Sequence, residues 1–267
     1  MIVAHESPLA LLDKSLSYND YDYCLVHLLP EYPQYLDFFR RSKALGRHTL
    51  LDNSLFELGE AFEASKFAYW IQELLPHEYV VPDVFSDSAK TIESFKSWDI
   101  NYKDMPGRKI GVVQGRTYQE MIDCYSFMAV HADKIAINFI SSYFGARGHS
   151  RENNATPWHI LMDGRQQFIR DLMQDGFWAY HKPHHLLGCT LPQEFQAYEG
   201  IFNIESIDTS NPVVAGMHNI KYNDHGLDDK LSAKLADMLE APVSDEHWDC
   251  ISFNINKFRE INKIHKG

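Results

Sequence analysis

Eight short apolar runs, most of them separated by amphipathic segments, are the feature of this sequence that most constrains its fold. The runs are nearly continuous rather than alternating, which is typical of parallel strands covered on both faces. We predict strands at residues 2–5, 23–29, 48–53, 78–84, 109–114, 134–139, 185–189 and 202–208. Segments of helical period predict helices at 60–75, 86–98, 117–131 and 156–174.

The repeated strand–helix order indicates a parallel α/β fold. Eight such units within about 210 residues favour a closed (β/α)8 TIM barrel, a fold of about 250 residues in all. The alternative, a doubly wound open sheet, would require a glycine-rich turn after its first strand, and none is present. We therefore predict one TIM-barrel domain over residues 1–267, with closing C-terminal helices at 228–239 and 245–263.

Several helices have recognisable starts. Ser86 is predicted to be an N-cap, and Thr117 with Glu120 three residues later fits a capping box. Thr156 is followed by Pro157, which suits the first helical position. The polar segment 141–154 is predicted to be a substrate lid, with an exposed connector as the alternative, and 211–224 is a segment of the same kind.

Composition and charge limit the class of protein. Hydrophobic residues make up 45% of the chain, yet no stretch approaches the roughly 18 apolar residues of a membrane span. The N-terminus lacks the features of a signal peptide, so we expect a soluble, cytoplasmic protein with no membrane partner. The formal charge of −12 fits poorly with a broad basic surface for nucleic acid. A local basic path remains open, with ordinary solvated charges as the alternative; its candidates are Arg108, Lys109, Arg116, Arg147, Arg151, Arg165 and Lys182.

The cysteines and histidines give no clear metal motif. Cys24, Cys124, Cys189 and Cys250 are widely scattered without a CxxC pair, which suits a reducing compartment and predicts buried thiols at Cys24 and Cys189. His181, His184 and His185 lie close together, but no HExxH spacing accompanies them. We predict no structural zinc, and a catalytic metal held by carboxylate and histidine remains an alternative.

Acidic residues end several predicted strands, where a barrel carries its chemistry. Asp208 is a candidate nucleophile for a sugar carbon, with an Asx-turn as the alternative role. Asp52 is a candidate general base or acceptor of ring N–H bonds. The two coplanar oxygens of Asp83 match the N1–H and exocyclic amine of guanine. Helix capping is the competing role for Asp52 and Asp83.

Three further residue types suit a purine ligand. The amide of Gln114, in Gln114-Gly115, can both donate to and accept from a purine edge. Gly188 lets a base approach the backbone and bond to its N–H. Phe56 and Tyr143 are candidate stacking rings, with core packing as the alternative.

These residues, in this order, resemble the tRNA-guanine transglycosylase superfamily, barrel enzymes that exchange guanine in a polynucleotide for a 7-deazaguanine. The family's Gly-Ile-Val-Gln-Gly matches Gly-Val-Val-Gln-Gly at 111–115, and its Asp-Ser-Gly-Gly-Phe/Tyr-Gln is similar to Asp-Asn-Ser-Leu-Phe-Glu at 52–57. Its second aspartate strand end is similar to Val-Pro-Asp at 81–83, and its glycine-rich segment ending in Glu resembles 187–194. Its aspartate nucleophile falls on Asp208, so the resemblance spans roughly residues 46–212.

The resemblance implies a role for each matched residue. Asp208 would attack C1′ and hold the sugar covalently, and Asp52 would be the acid/base for the leaving or incoming base. The base-binding set would consist of Asp83, Gln114, Gly115, the Gly188 backbone, Phe56 and Asn53. The base must first leave its stack, as in other enzymes that act on a nucleobase.

Two departures from the family pattern shape the remaining expectations. Ser54 and Leu55 stand where the family has two glycines. The family's Cys/Cys/Cys/His zinc site has no counterpart, since only Cys250 lies beyond Asp208, and we expect no cofactor. The chain looks most like the compact phage-type enzymes, which implies DNA and a 7-deazaguanine such as 7-cyano-7-deazaguanine as partners, in a bacterium or phage-infected cell. A homodimer is one assembly to consider.

Three alternatives remain open at this point. The first is the same base exchange on tRNA. The second is a metal-dependent TIM-barrel hydrolase that uses His5 and the histidines at 181–185. The third is a non-catalytic relative that binds nucleic acid or a protein partner.

Overall fold

The computed structural model describes residues 1–148 and 155–265. Within these ranges the strands are β1 (Ile2–Ala4), β2 (Asp22–Leu25), β3 (Thr49–Asp52), β4 (Glu78–Val80), β5 (Arg108–Val113), β6 (Lys134–Asn138), β7 (His184–Leu187) and β8 (Ile204–Asp208). They form one eight-stranded sheet in the order β1-β8-β7-β6-β5-β4-β3-β2. This is the strand order of a (β/α)8 barrel, so the predicted α/β TIM-barrel class is confirmed.

Helices connect most of the strands. The α-helices in the described part of the chain are α1 (Leu12–Ser15), α2 (Pro33–Ala44), α3 (Leu55–Leu58), α4 (Ala64–Leu74), α5 (Ser88–Asn101), α6 (Tyr118–His131), α7 (Ser142–Arg147), α8 (Pro157–Gln174), α9 (Asn211–Met217) and α10 (Asp245–Ile261). The four helices predicted between strands and the C-terminal helix at 245–263 are confirmed as α4, α5, α6, α8 and α10. None of the described helices is long and apolar enough to cross a membrane.

The sequence patterns misplaced some elements. The predicted helix at 228–239 is wrong, because this segment contains only a short 3-10 helix, Leu235–Met238. Contacts with distant residues hold the segment instead: the Lys230 ammonium donates to the Cys189 carbonyl, and Leu235 packs in a core cluster with residues of α9 and α10. The polar segment at 211–224 contains α9, which is too short for its period to be recognised. The strand predicted at 23–29 ends at Leu25 and continues as a 3-10 helix. Helix α7 lies in the predicted lid at 141–154, whose residues 149–154 are outside the described ranges.

The predicted helix starts were correct at two of three positions. The Thr117 hydroxyl accepts the Glu120 N–H, but the Glu120 carboxylate accepts the Arg116 N–H, so Thr117 is the N-cap and only half of the predicted capping box forms. Pro157 is the first residue of α8. The N-cap of α5, however, is Asp87, which accepts the Lys90 N–H. Ser86 has a left-handed backbone (φ +55°) and donates its N–H to Gln114, so the predicted capping role of Ser86 is wrong.

The chain divides into two compact units. Apart from residues outside the described ranges, the first unit contains Met1–Asp20, Phe144–Trp178 and Leu186–Gly267, including β1, β8 and helices α8–α10. The second unit contains Tyr21–Tyr143 and Ala179–His185, including β2–β6 and helices α2–α6. The single domain over residues 1–267 stays a prediction.

Strand register decides which side chains become neighbours. In the second unit, β2 to β6 pair in parallel; the partners include Leu25 with Asp52, Leu51 with Tyr79, Val80 with Ile110, and Val113 with Ile137. The C-terminal ends of β3, β4 and β5 therefore lie along one edge of the sheet. In the first unit, β1 and β8 are parallel, with Ala4 opposite Asp208.

The N-terminal ends of β4–β6 in the second unit carry a buried ion-pair cluster. The Glu78 carboxylate accepts hydrogen bonds from the Lys134 ammonium at 2.8 Å and from the Arg108 guanidinium, and the His48 ring lies 3.6 Å away. Burial favours the neutral acid, but His48, Lys134 and Arg108 outweigh it and lower the pKa of Glu78 to about 2. Glu78 therefore contributes to stability as a carboxylate.

Candidate active site

The turn after β3 is organised by its own polar side chains. Asp52 Oδ1 accepts the Ser54 N–H at 2.6 Å, and Asn53 Oδ1 accepts the Leu55 N–H at 2.9 Å. Ser54 takes a left-handed conformation (φ +60°), which glycine adopts with less strain. The transglycosylase pattern has its first glycine at this position. Ser54 therefore has the left-handed backbone conformation that glycine favours.

Asp83, three residues beyond β4, is held by two side-chain amides. Its carboxylate is buried, with 4% of the residue exposed. Asn53 Nδ2 donates to Oδ1 and Gln114 Nε2 donates to Oδ2, each at 2.8 Å. The structure thus brings together three of the predicted base-binding residues, Asn53, Asp83 and Gln114, within the second unit.

Backbone donors fix the orientation of both amides. The Ser86 N–H donates to Gln114 Oε1 at 2.9 Å, so the Gln114 NH2 group must face Asp83. The Leu55 N–H similarly occupies Asn53 Oδ1 and turns the Asn53 NH2 group toward Asp83 and the Val81 carbonyl. Asn53 is therefore a support for Asp83, and Ser86 is a contributor to the site that sequence reasoning had taken for a helix cap.

Burial changes the acidity of Asp83. It raises the pKa from 3.8 to about 6, while the hydrogen bonds from Gln114 and Asn53 act in the opposite direction. A carboxylate has about four acceptor positions, so the two amide bonds do not saturate it. Above pH about 6, Asp83 is therefore an oriented anionic acceptor for a ligand that presents adjacent N–H donors.

Gly115 and Phe56 have different surroundings. A Cβ at Gly115 would lie 2.9 Å from the Met121 backbone N, so glycine is required there for α6 to pack against the end of β5. Its carbonyl accepts the Ser141 hydroxyl at 3.1 Å. Phe56, on α3, is 46% exposed and its ring centroid lies 5.2 Å from that of Phe139. Phe56 therefore presents ring surface for stacking, whereas Tyr143, the other candidate, is buried.

Asp208, the last residue of β8, is hydrogen-bonded to the segment that follows β7. Its Oδ1 accepts the Gly188 N–H at 3.2 Å, and 3% of the residue is exposed. Gly188 has φ +61°, a conformation that a side chain would strain. The structure thus brings Gly188 and Asp208 together within the first unit, and the Gly188 N–H predicted to bind a base contacts this carboxylate.

Most of the proposed basic path is engaged in internal contacts. Arg108 and Lys109 begin β5, at the N-terminal ends of the strands, and bond to Glu78 and Asp99. Lys182 donates to the Ala132 carbonyl, Arg147 to Asp171, and Arg165 is fully buried. Arg116 follows β5 and bonds to the Ser86 carbonyl, and Arg151 lies outside the described residues. These contacts do not support a continuous basic path through the described candidates.

Three of the four histidines proposed for a metal site have other contacts, and His181 is exposed. His5, the residue after β1, is buried and packs edge-on against Phe258 of α10. Burial, together with the Arg259 charge, lowers the pKa of His5 to about 3. His184 bonds to the Tyr125 hydroxyl at 2.8 Å, and His185 stacks on Tyr23.

The described residues do not fit the zinc ion of the transglycosylase superfamily. The cysteines lie on different elements: Cys24 on β2, Cys124 on α6, Cys189 after β7 and Cys250 on α10. All four are buried free thiols, as predicted for Cys24 and Cys189. In residues 1–148 and 155–265, no group of three or more His, Cys, Asp or Glu side chains is arranged to hold a metal. The expectation of no cofactor stays a prediction.

Comparison with known proteins adds no relative to these observations. No protein-family model matches the sequence, and no curated protein matches it.

Proposed function

We propose that this chain is a base-exchanging pentosyltransferase that replaces guanine in DNA with a 7-deazaguanine, such as 7-cyano-7-deazaguanine. The reaction would proceed through a covalent aspartyl–sugar intermediate. The observation that carries the proposal is the buried Asp83 carboxylate, held by two amides whose orientations are fixed by backbone N–H groups. The cytoplasm of a bacterium or a phage-infected cell is the proposed setting.

The surroundings of Asp83 support its role in recognising guanine. Guanine presents N1–H and its exocyclic amine as adjacent donors, and a carboxylate offers two coplanar acceptors. Because Asn53 and Gln114 hold the plane of the Asp83 carboxylate, the geometry of recognition is set before the base arrives. In this proposal Gln114 also contacts the base, and the exposed ring of Phe56 stacks on it.

Asp208 is the proposed nucleophile. One carboxylate oxygen attacks C1′ of the target nucleotide as the C1′–N9 bond breaks, and guanine leaves with a proton that Asp52 supplies at N9. The Asp52 carboxylate then removes the N9 proton of the incoming 7-deazaguanine. N9 attacks C1′ and the ester bond to Asp208 breaks, which restores both acids. The Gly188 N–H, bonded to Asp208, supports this role by holding the carboxylate in one orientation.

Exchange of radiolabelled guanine into polynucleotide tests the proposal directly. We expect wild-type protein to incorporate label into DNA and to form a denaturation-resistant protein–DNA adduct. Asp208→Asn should abolish both while remaining folded, because an amide is not a nucleophile toward C1′. Asp37→Asn, at an exposed position on α2, is the matched control and should behave as wild type.

Each other result has a definite meaning. Label in neither DNA nor tRNA would refute the proposed function, and full activity of Asp208→Asn would refute the nucleophile assignment. DNA is preferred over tRNA on the resemblance to the compact phage-type enzymes, so label in tRNA alone would overturn the DNA assignment while leaving the chemistry intact.

A further inference from the structure

A fully buried cation in the described part of the first unit lies next to Gly188, whose N–H donates to the proposed nucleophile Asp208. Arg165, on α8, has no exposed surface. Its Nη1 donates to the Leu187 carbonyl at 3.0 Å and its Nη2 to the Gly188 carbonyl at 2.9 Å. Its Nε donates to Glu194 Oε1 at 2.5 Å. One planar guanidinium therefore donates hydrogen bonds to two successive backbone carbonyls and a carboxylate.

A single peptide group connects the hydrogen bonds of Arg165 to Asp208. The Leu187 carbonyl and the Gly188 N–H belong to the same planar peptide, whose two ends point in opposite directions. Arg165 holds the carbonyl end, and the N–H end donates to Asp208 Oδ1 at 3.2 Å. Any rotation of this peptide would break both bonds together, so the guanidinium fixes the direction of the donor that contacts Asp208.

Glu194 makes burial of this cation tolerable. Its carboxylate has no exposed surface and also accepts the Tyr198 hydroxyl at 3.0 Å and the Thr190 hydroxyl at 3.3 Å. Burial disfavours the charged guanidinium, but the Glu194 carboxylate more than compensates, so the pKa of Arg165 is raised overall. Replacing a buried ion pair by apolar residues is often neutral or stabilising, so stability alone does not account for this one.

We propose that Arg165 is a positioning residue for Asp208: it fixes the Leu187–Gly188 peptide so that the Gly188 N–H holds the carboxylate in its attacking orientation. The proposal rests on the function proposed above for the consequence in catalysis, but its structural part stands independently. Lysine cannot replace Arg165 in this role, because an ammonium lacks the planar fork that reaches two carbonyls and a carboxylate at once.

The test compares Arg165→Lys with Arg170→Lys on the same helix, where Arg170 is about half exposed and bonds to Gln167. The first measurement is hydrogen exchange of the Gly188 amide by NMR, which needs no activity. We expect exchange to be faster by about tenfold in Arg165→Lys, the equivalent of one hydrogen bond, and unchanged in Arg170→Lys. Unchanged Gly188 exchange in a folded Arg165→Lys protein would overturn the proposal.

The second measurement is the rate constant for adduct formation with DNA or tRNA at saturating substrate. We expect Arg165→Lys to slow it on the order of 100-fold, as for a small misplacement of a reacting group, while KM changes little. A rate within about twofold of wild type would also overturn the positioning role. If wild-type protein forms no adduct, the proposed function fails, and Gly188 exchange still decides the role of Arg165.

A charge-balanced variant guards against misfolding. Arg165→Lys retains a cation opposite Glu194, but the double variant Arg165→Met/Glu194→Gln removes both buried charges together. We expect the double variant to fold and to show the same fast Gly188 exchange and slow adduct formation. Wild-type values for both in the folded double variant would show that the guanidinium is dispensable and overturn the proposal.

Discussion

Asp83 makes folding stability depend on pH in a way that asparagine would remove. Burial raises its pKa from 3.8 to about 6, against the opposing hydrogen bonds from Gln114 and Asn53. The folded state therefore holds this proton more tightly than the unfolded chain, and ionisation of Asp83 costs stability as pH rises from 3.8 through about 6. A pKa difference of about 2.2, at 1.36 kcal/mol for each unit, gives a cost of about 3 kcal/mol above that range.

Asp83→Asn cannot ionise, so it avoids this cost. Its free energy of unfolding relative to wild type should move by about 2.4 kcal/mol in the variant's favour as pH rises from about 4 to 7, because a small part of the cost is already present at pH 4. The variant also carries a cost of about 1–3 kcal/mol at every pH, because an NH2 group cannot accept from the amide it would face. The change with pH therefore isolates the ionisation of Asp83 from the lost hydrogen bond.

Urea denaturation of wild type, Asp83→Asn and the control Asp37→Asn across this pH range measures the effect. Asp37 is exposed on α2, so its replacement controls for the loss of one negative charge. A difference between Asp83→Asn and wild type that stays constant from pH 4 to 7 would refute the reasoning. It would mean that the two amide bonds cancel the effect of burial on Asp83.

Two further predictions follow from the same contacts. Hypoxanthine lacks the exocyclic amine of guanine and therefore lacks one of the two donors to Asp83. It should inhibit base exchange about 10- to 100-fold more weakly than guanine. Equal inhibition by the two bases would contradict the recognition role of Asp83. Lys134→Met leaves Glu78 without its closest buried cation and should lower the free energy of unfolding at pH 7 by roughly 3–5 kcal/mol in chemical denaturation. The pKa of Glu78 is lowered from 4.5 to about 2, so the stabilisation by the ionised carboxylate is complete above pH 4.5. The difference in unfolding free energy between Lys134→Met and wild type should therefore shrink as pH falls toward 2. A difference that persists at pH 2 would argue against ionised Glu78 as the source of the stabilisation.

The local patterns of the sequence were sufficient for the fold class. Continuous apolar runs located all eight strands, and helical periodicity located α4, α5, α6, α8 and α10. These signals work because the side-chain periods of strands and helices depend only on neighbouring residues. The same patterns failed at 228–239, where contacts of Lys230 and Leu235 with distant residues override local preference.

Motif order also marked the candidate site residues, but not how they are held. Aspartates at strand ends marked Asp52, Asp83 and Asp208, and the pattern at 111–115 marked Gln114. Nothing in the sequence indicated that the Ser86 N–H would orient Gln114. Arg165 looked like a surface cation, because its counterion is far along the chain.

The sequence by itself therefore determined the eight strands, five of the helices and the chemical groups at the strand ends, and tertiary structure decided the partners of those groups. Asn53 and Gln114 bond to Asp83 across 30 and 31 residues of chain, and Arg165 meets Glu194 across 29. Such pairings depend on strand register and on the packing of helices against strand ends. A buried polar group must find a partner wherever packing offers one, and that choice is made only when the chain is folded.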